Sequence, residues 1–260
     1  MLAEITFHGG VHDIGGNKFL VEDRETKILM DFGMSFRDEG KFFSQFMNAR
    51  TSNSLTDLFD LGILPNIPGM YRRDYTRHMD LGGDEETAID AVLLTHAHVD
   101  HCKYISYLRP EIPVYCSEAS KLIMQNYDDT GTDQYLTLKE RFQVYTNRNG
   151  ELSKKKGEDV QIPRNIQVFE EGKKFSIDSV DVEPMPVDHS IPGVNAFILN
   201  TSSGSIANTG DLRFHGRRAN DTEKFVERCG ESELDLILCE GTRVQKADSN
   251  TEYDVEQGAT

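Results

Sequence analysis

Short apolar runs punctuated by turn residues open and close this chain, and they predict strands. Ile5 to Phe7, Lys18 to Val21 and Lys27 to Met30 are three such runs. Gly9-Gly10, Gly15-Gly16 and Glu22-Asp23 mark the turns, so an antiparallel meander is expected. Residues 36–85 are polar and broken by Gly62, Pro65, Pro68 and Gly82-Gly83. They predict mostly loop, with one short helix near Ser54 to Phe59, a length usual for functional or mobile segments. Ala91 to Leu94 predicts a wholly apolar strand, and His101 to Leu108 a helix stopped by Pro110. Val114 to Cys116 predicts a strand, and Ser117 the N-cap of a helix reaching about Asn126.

Residues 127–160 are charged and weakly periodic, and Lys154-Lys155-Lys156 is expected as a solvated turn. Strands return at Ile166 to Phe169, Val180 to Val187, Ala196 to Leu199, Ser205 to Asn208 and Leu234 to Cys239. A helix over about Ala219 to Arg228 lies between the last two. A strand meander, strand–helix alternation and a second set of strands imply an α/β fold. Two sheets pack face to face with helices outside, a four-layer αββα sandwich.

At 260 residues the chain is long enough for one sizeable domain, expected over residues 1–243, with 244–260 a polar tail. No stretch approaches the roughly 18 apolar residues of a membrane span, and Met1 leads straight into the first strand. A cytoplasmic protein with no membrane partner is therefore expected. Cys102, Cys116, Cys229 and Cys239 form no C-x-x-C pair and read as reduced thiols, with Cys116 and Cys239 expected to be buried in strands. The net charge of −16 argues against tight, sequence-blind nucleic-acid binding by this segment alone. Bound divalent cations would locally reverse that field.

The chemistry concentrates at the end of the Ala91 strand, in Thr95-His96-Ala97-His98-Val99-Asp100-His101. Imidazole and carboxylate suit borderline divalent metals. Alternation puts His96, His98 and Asp100 on one side of an extended loop, with His101 at a helix start and turned away. The donors can thus divide, His96 and His98 toward one ion, Asp100 and His101 toward another. His189 ends a strand beside a Pro/Gly turn, and Asp211 follows another strand; a carboxylate there has two oxygens with which to bridge two metals.

With these residues go Gly9-Gly10-Val11-His12-Asp13-Ile14-Gly15-Gly16-Asn17, Met30-Asp31-Phe32-Gly33-Met34, His189-Ser190-Ile191-Pro192 and Thr209-Gly210-Asp211-Leu212-Arg213-Phe214. On these segments the chain resembles the metallo-β-lactamase superfamily, and within it ribonuclease J of the β-CASP nucleases. The resemblance implies the metallo-β-lactamase fold and two divalent metal ions, zinc foremost. His96, His98 and His189 would hold one and Asp100 and His101 the other, with Asp211 bridging them and a hydroxide between. Asp31 would orient ligands by hydrogen bonds, and Asp100 and Asp211 would orient the hydroxide in catalysis. The family's second site takes one more histidine, late in the chain and beyond an inserted β-CASP domain. Residues 244–260 would then begin that domain, and these 260 residues would be the front part of a longer protein. His215, the last histidine, is a weaker substitute. Lys103 stands where the family has a small residue and is expected to reach solvent; His8, His12 and His78 read as structural or surface residues.

The leading functional expectation is a metal-dependent phosphodiesterase acting on RNA through a metal-bound hydroxide. A thioester, lactone or lactam hydrolase of the same superfamily fits the same ligands, with residues 36–85 as its lid. A non-catalytic metal-binding subunit is the reading from another class. A homo-oligomer is compatible with each.

Overall fold

In the computed structural model the described residues are 2–43, 47–79, 86–242 and 251–258. The meander is present as β1 (Glu4–Gly9), β2 (Lys18–Asp23) and β3 (Thr26–Met30), paired antiparallel with Thr6 opposite Leu20 and Phe19 opposite Met30. Three short helices, α1 (Phe36–Phe42), α2 (Thr56–Asp60) and α3 (Arg73–Thr76), precede β4 (Ala91–Leu93), α4 (Val99–Cys102), β5 (Val114–Cys116) and α5 (Glu118–Thr130). Then come β6 (Thr137–Lys139), β7 (Phe142–Thr146), β8 (Leu152–Lys156) and β9 (Gln161–Pro163). β7 pairs with β8 as a hairpin, and β6 pairs with β9 at its base. After β10 (Ile166–Val168) run β11 (Phe175–Ile177), β12 (Val180–Pro186), β13 (Asn195–Thr201), β14 (Gly204–Asn208), α6 (Ala219–Glu231), β15 (Leu236–Leu238) and α7 (Glu252–Gly258).

Among the described residues the strands form a six-stranded sheet ordered β1-β2-β3-β4-β5-β10 and a five-stranded sheet of β11 to β15. Side-chain alternation sorts the core into three layers. Phe19, Val21 and Met30 point between the sheets to meet Val182, Phe197 and Leu199. Leu20, Leu29 and Val92 point the other way, against Leu58, Tyr104 and Met124 of the helical layer. On the far side Ala196, Ile198 and Ala207 cover Phe225 of α6. Helices, sheet, sheet and helix make the αββα sandwich that the pattern implies. Each buried Leu, Ile or Phe adds about 1.5–3 kcal/mol over its exposed state.

Several local expectations are corrected. The described part of residues 36–85 holds α2 where the one short helix is expected, but it also holds α1, α3 and two 3-10 turns and packs into the core. Leu55, Leu58, Ile63, Leu64, Met70 and Tyr71 are buried beneath the first sheet, spread over pieces too short to display a helical repeat. Residues 44–46 and 80–85, Gly82-Gly83 included, lie outside the described residues. The helix expected from His101 is α-helical only to Cys102 and tightens into a 3-10 segment over Lys103–Tyr107. Ser117 caps its helix as expected, accepting from Ser120 N at 3.1 Å, but the helix runs on to Thr130 and ends at Gly131 with φ 73°. Lys154-Lys155-Lys156 is the end of β8 rather than a turn. Cys116 is buried, but Cys239 is exposed, because β15 is a sheet edge whose Ile237 is also exposed. Inside the stretch read as a polar tail, α7 sends Glu252 back to the Arg213 guanidinium, while residues 243–250 lie outside the described residues. No helix among the described residues is long and apolar enough to cross a membrane.

Candidate metal centre

The parallel strands β3 and β4 deliver their C-terminal ends side by side, and the donor-rich loops begin there. His98 is the extended N-cap of α4, with φ −70° and ψ 149°, so Asp100 and His101 sit in the first helical turn. The extended stretch expected at 96–100 therefore stops at His98. His101 does not turn away from His96, since their ring centroids lie 4.0 Å apart.

Asp31, at the end of β3 with φ 52°, fixes this corner. Its buried carboxylate accepts from Thr95 N at 2.8 Å and from Thr95 Oγ1 at 2.9 Å, and it meets His101 Nδ1 at 2.8 Å. That bond leaves His101 Nε2 facing Asp211 Oδ1 at 3.3 Å, Asp100 Oδ2 at 3.8 Å and the Asn17 amide at 3.0 Å. The approach is close enough to require glycine. A Cβ on Gly33 would lie 1.6 Å from the Asp100 carbonyl oxygen, and one on Gly15, at φ 76°, would lie 2.6 Å from Asp100 Cβ.

The remaining donors come from the second sheet. His189 follows β12, and its neighbour Asp188 pins that loop, accepting from Arg213 Nε at 3.0 Å and giving its own N–H to Thr222 Oγ1 at 2.8 Å. Asp211 follows β14 through Thr209 and Gly210. Two groups result. His96, His98, His189 and Asp211 offer donor atoms all within 4.8 Å of one another, and so do Asp100, His101 and Asp211. In the first, His98 Nδ1 is 2.9 Å from His96 Nε2 and 3.3 Å from His189 Nε2, which is 3.5 Å from Asp211 Oδ2. Asp211 thus turns Oδ2 to one group and Oδ1 to the other.

These spacings fit a divalent ion. Ligands about 2.0–2.1 Å from a tetrahedral ion are separated by about 3.3–3.4 Å. Charge state agrees. Burial, reinforced by the neighbouring histidines, holds His96 well below its usual pKa, and burial lowers His98 and brings His189 to about 4. All three are neutral imidazoles at pH 7 with lone pairs to give. His101 differs: burial lowers it, but Asp31 and Asp211 outweigh that and raise it to about 10. An ion at its Nε2 displaces a proton. Burial raises Asp100, while burial opposes and His101 then overcomes to lower Asp211.

His215 belongs to neither group; its carbonyl accepts from Glu252 N at 3.2 Å. Lys103 does not end free in solvent, because its ammonium pairs with Asp133 at 2.7 Å. His12 lines the cleft over the centre, an open space of about 850 Å3, and His78 lies elsewhere against Lys154. Sequence reasoning missed Asn17, Thr95, Asp188 and Lys18. The last is a buried ammonium that ties Gly16 and Gly33 through their carbonyls at 3.1 and 2.8 Å. A Lys heading the apolar run Phe19 to Val21 was the available signal for that role.

A paired histidine–carboxylate centre at one edge of an αββα sandwich defines the class, a hydrolase scaffold of metallo-β-lactamase fold. The chain belongs to the β-lactamase superfamily, whose domain model matches residues 67–259. It is 25% identical to ribonuclease J of Helicobacter pylori strain 26695 over 250 residues, covering 94% of this chain and 28% of that protein. It is 28% identical to ribonuclease J of Mycolicibacterium smegmatis over 248 residues, covering 92% of this chain and 34% of that protein. The chain thus spans about a third of the length of these curated relatives. A crystal structure of a protein of unknown function from Enterococcus faecalis V583 shares the fold, with TM-score 0.75 and 24% identity over all of this chain and 56% of that one.

Proposed function

We propose that this chain is the metal-binding part of a phosphodiesterase that acts on RNA. One observation carries the reading. Asp211 faces two separate donor groups with its two oxygens, the arrangement a pair of ions needs to grip both sides of a transferring phosphoryl group. His96, His98 and His189 would hold one ion, and Asp100 and His101 the other, with Asp211 shared. The imidazole-rich first group favours zinc. When bound, the ions supply an activated water and Lewis-acid stabilisation of phosphoryl oxygens.

The chain's own residues do the rest. Asp31 holds the His101 ring by Nδ1 so that Nε2 points to the centre, and Thr95 holds Asp31. Asp100 and Asp211 accept hydrogen bonds from the attacking water and set its direction. The sequence similarity to ribonuclease J from two sources supports RNA as substrate. In the longer proteins the resemblance implies a further histidine for the second group.

The test is metal-loaded protein, in its full natural length, with 5′-labelled RNA. Cleavage that disappears on chelation and returns with zinc is expected. No RNA cleavage, together with turnover of thioesters or lactones, overturns the reading in favour of a small-molecule hydrolase.

A further inference from the structure

The chain is strongly acidic, yet one stretch of it is basic. Residues 139–156 carry six Lys and Arg against two Glu, in a chain whose net charge is −16. The segment contains the β7–β8 hairpin, which projects from the β6–β9 ribbon. Register separates its two faces. Gln143 lies opposite Lys155 and Tyr145 opposite Ser153, while Phe142 lies opposite Lys156 and Val144 opposite Lys154. The Phe142 face is the inner one. Its ring meets Tyr75 at 6.0 Å and His78 at 5.9 Å, and the Lys154 ammonium sits over it and bonds His78 Nε2 at 2.6 Å. Alternation therefore turns Gln143, Tyr145, Ser153 and Lys155 outward, while the Arg141 guanidinium lies over the Phe142 ring, 5.5 Å from its centroid.

On that outer face Tyr145 is 48% exposed, a large ring left in water beside cations. Lys155 and Arg148, at the hairpin turn, are exposed with no acidic partner in ion-pair range among the described residues. Arg73 and Arg77, one helical turn apart beneath the hairpin, are exposed in the same way. A polyanion supplies the missing counter-charge, and an unpaired base supplies a flat partner for Tyr145. Gln143 and Ser153 add neutral hydrogen-bonding groups between them. The base of the segment is anchored near the centre's own helix, since Lys103, two residues after His101, pairs with Asp133 just before β6.

We infer that the outer face of the β7–β8 hairpin is a docking platform for single-stranded nucleic acid, with Tyr145 as stacking surface and Arg148 and Lys155 as phosphate contacts. The inference rests on the proposed RNA substrate and assigns where that substrate is gripped away from the metals. It also shows why a net charge of −16 misleads: the sum hides a local surface of opposite sign.

The experiment measures binding of metal-loaded protein to a fluorescein-labelled, cleavage-resistant phosphorothioate 20-mer of single-stranded RNA across a salt series. A 20-base-pair duplex is the comparison, and hydrolysis of bis(p-nitrophenyl) phosphate is read in parallel. The double variant Arg148→Glu, Lys155→Glu is expected to bind the single strand at least about tenfold more weakly, with the salt slope reduced by about 2. Tyr145→Ala is expected to lose about tenfold with an unchanged slope. Both should hydrolyse the small phosphodiester as wild type does, and wild type should prefer the single strand to the duplex. Should the double variant fold poorly, Lys155→Gln and Tyr145→Ala carry the same comparison.

Wild-type binding that neither variant weakens overturns the platform and leaves the proposed function standing. A wild type that neither binds nor cleaves RNA overturns both. Unchanged RNA affinity with a lower sedimentation mass in the double variant also overturns the platform, identifying the acidic surface of a second copy as its occupant.

Discussion

The edge where β3, β4, β12 and β14 end and the hairpin of β7 and β8 are opposite solutions to placing polar groups on a fold. At the edge, charged and basic side chains are taken out of water and locked to one another. Asp31 and His96 are buried, and each hydrogen-bonds Thr95. At the hairpin the polar groups stay in water, and the charges on the outer face have few protein partners. Buried polar groups must satisfy one another, so their geometry is specified to fractions of an ångström. Exposed ones need only be present. Changes at the edge should therefore be costly in activity, changes where the hairpin joins the core costly in stability, and changes on the hairpin's face costly only in binding.

The largest effect is expected from His96→Ala. It removes a buried donor at the middle of the first group, 2.9 Å from His98 Nδ1 and 4.0 Å by ring centroid from His101. Bound metal, measured by elemental analysis, should fall, and phosphodiester turnover should drop at least about a thousandfold, or ~4 kcal/mol of barrier. Wild-type turnover in such a variant would break the comparison at its strongest point.

The junction comes next. Arg164, buried just after β9, donates to the carbonyls of Tyr135, Ile105, Leu108 and Arg109 at 2.9 to 3.2 Å. It ties the ribbon that bears the hairpin to the segment after the metal loop. Arg164→Met keeps much of the volume but takes a donor from four carbonyls, of which those of Ile105 and Arg109 keep a backbone donor, and a urea titration should report a loss of about 3 kcal/mol. A loss below about 1 kcal/mol would mean that the ribbon folds without help from the core.

Asp31→Asn tests the layer behind the donors. Asparagine tolerates the φ of 52° at this position, so the backbone is kept while the charge facing His101 Nδ1 is lost. Metal affinity should weaken ten- to a hundredfold by competition with a chromophoric chelator, which is about 1.4–2.8 kcal/mol. Unchanged affinity would reduce Asp31 to a support for Thr95.

How much of this was legible in the sequence follows the same division. His96, His98, Asp100, His101, His189 and Asp211 stood out because few structures need so many donors so close together, and the structure does bring them together. Apolar runs bounded by turn residues made the strands of both sheets legible except β11, the three-residue edge strand of the second sheet. A helix of four residues such as α3 leaves no period to find, so residues 36–85 read as loop beyond the short helix that became α2, although Met70 and Tyr71 are core. The hairpin was invisible for another reason. Lys154, Lys155 and Lys156 carry no apolar alternation, and only the pairing with Phe142 to Val144 shows that they form a strand. Cys239 misled because an apolar run at a sheet edge looks in sequence like one in the middle.

The smallest effect is the most discriminating. Tyr145→Ala and Lys155→Glu, made together, alter the outer face of the hairpin without touching the Phe142 face that seats it on Tyr75 and His78. Exposed substitutions away from caps, cores and networks change stability by less than about 0.5 kcal/mol. The urea midpoint and the turnover of a small phosphodiester should therefore stay at wild-type values. A stability loss above about 1 kcal/mol would mean that Tyr145 is covered in solution, and the contrast between a locked edge and a free face would fail at the hairpin. Equal midpoints, beside the large losses at His96 and Arg164, would place the fold's tolerance for change on the side chains that its own packing does not use.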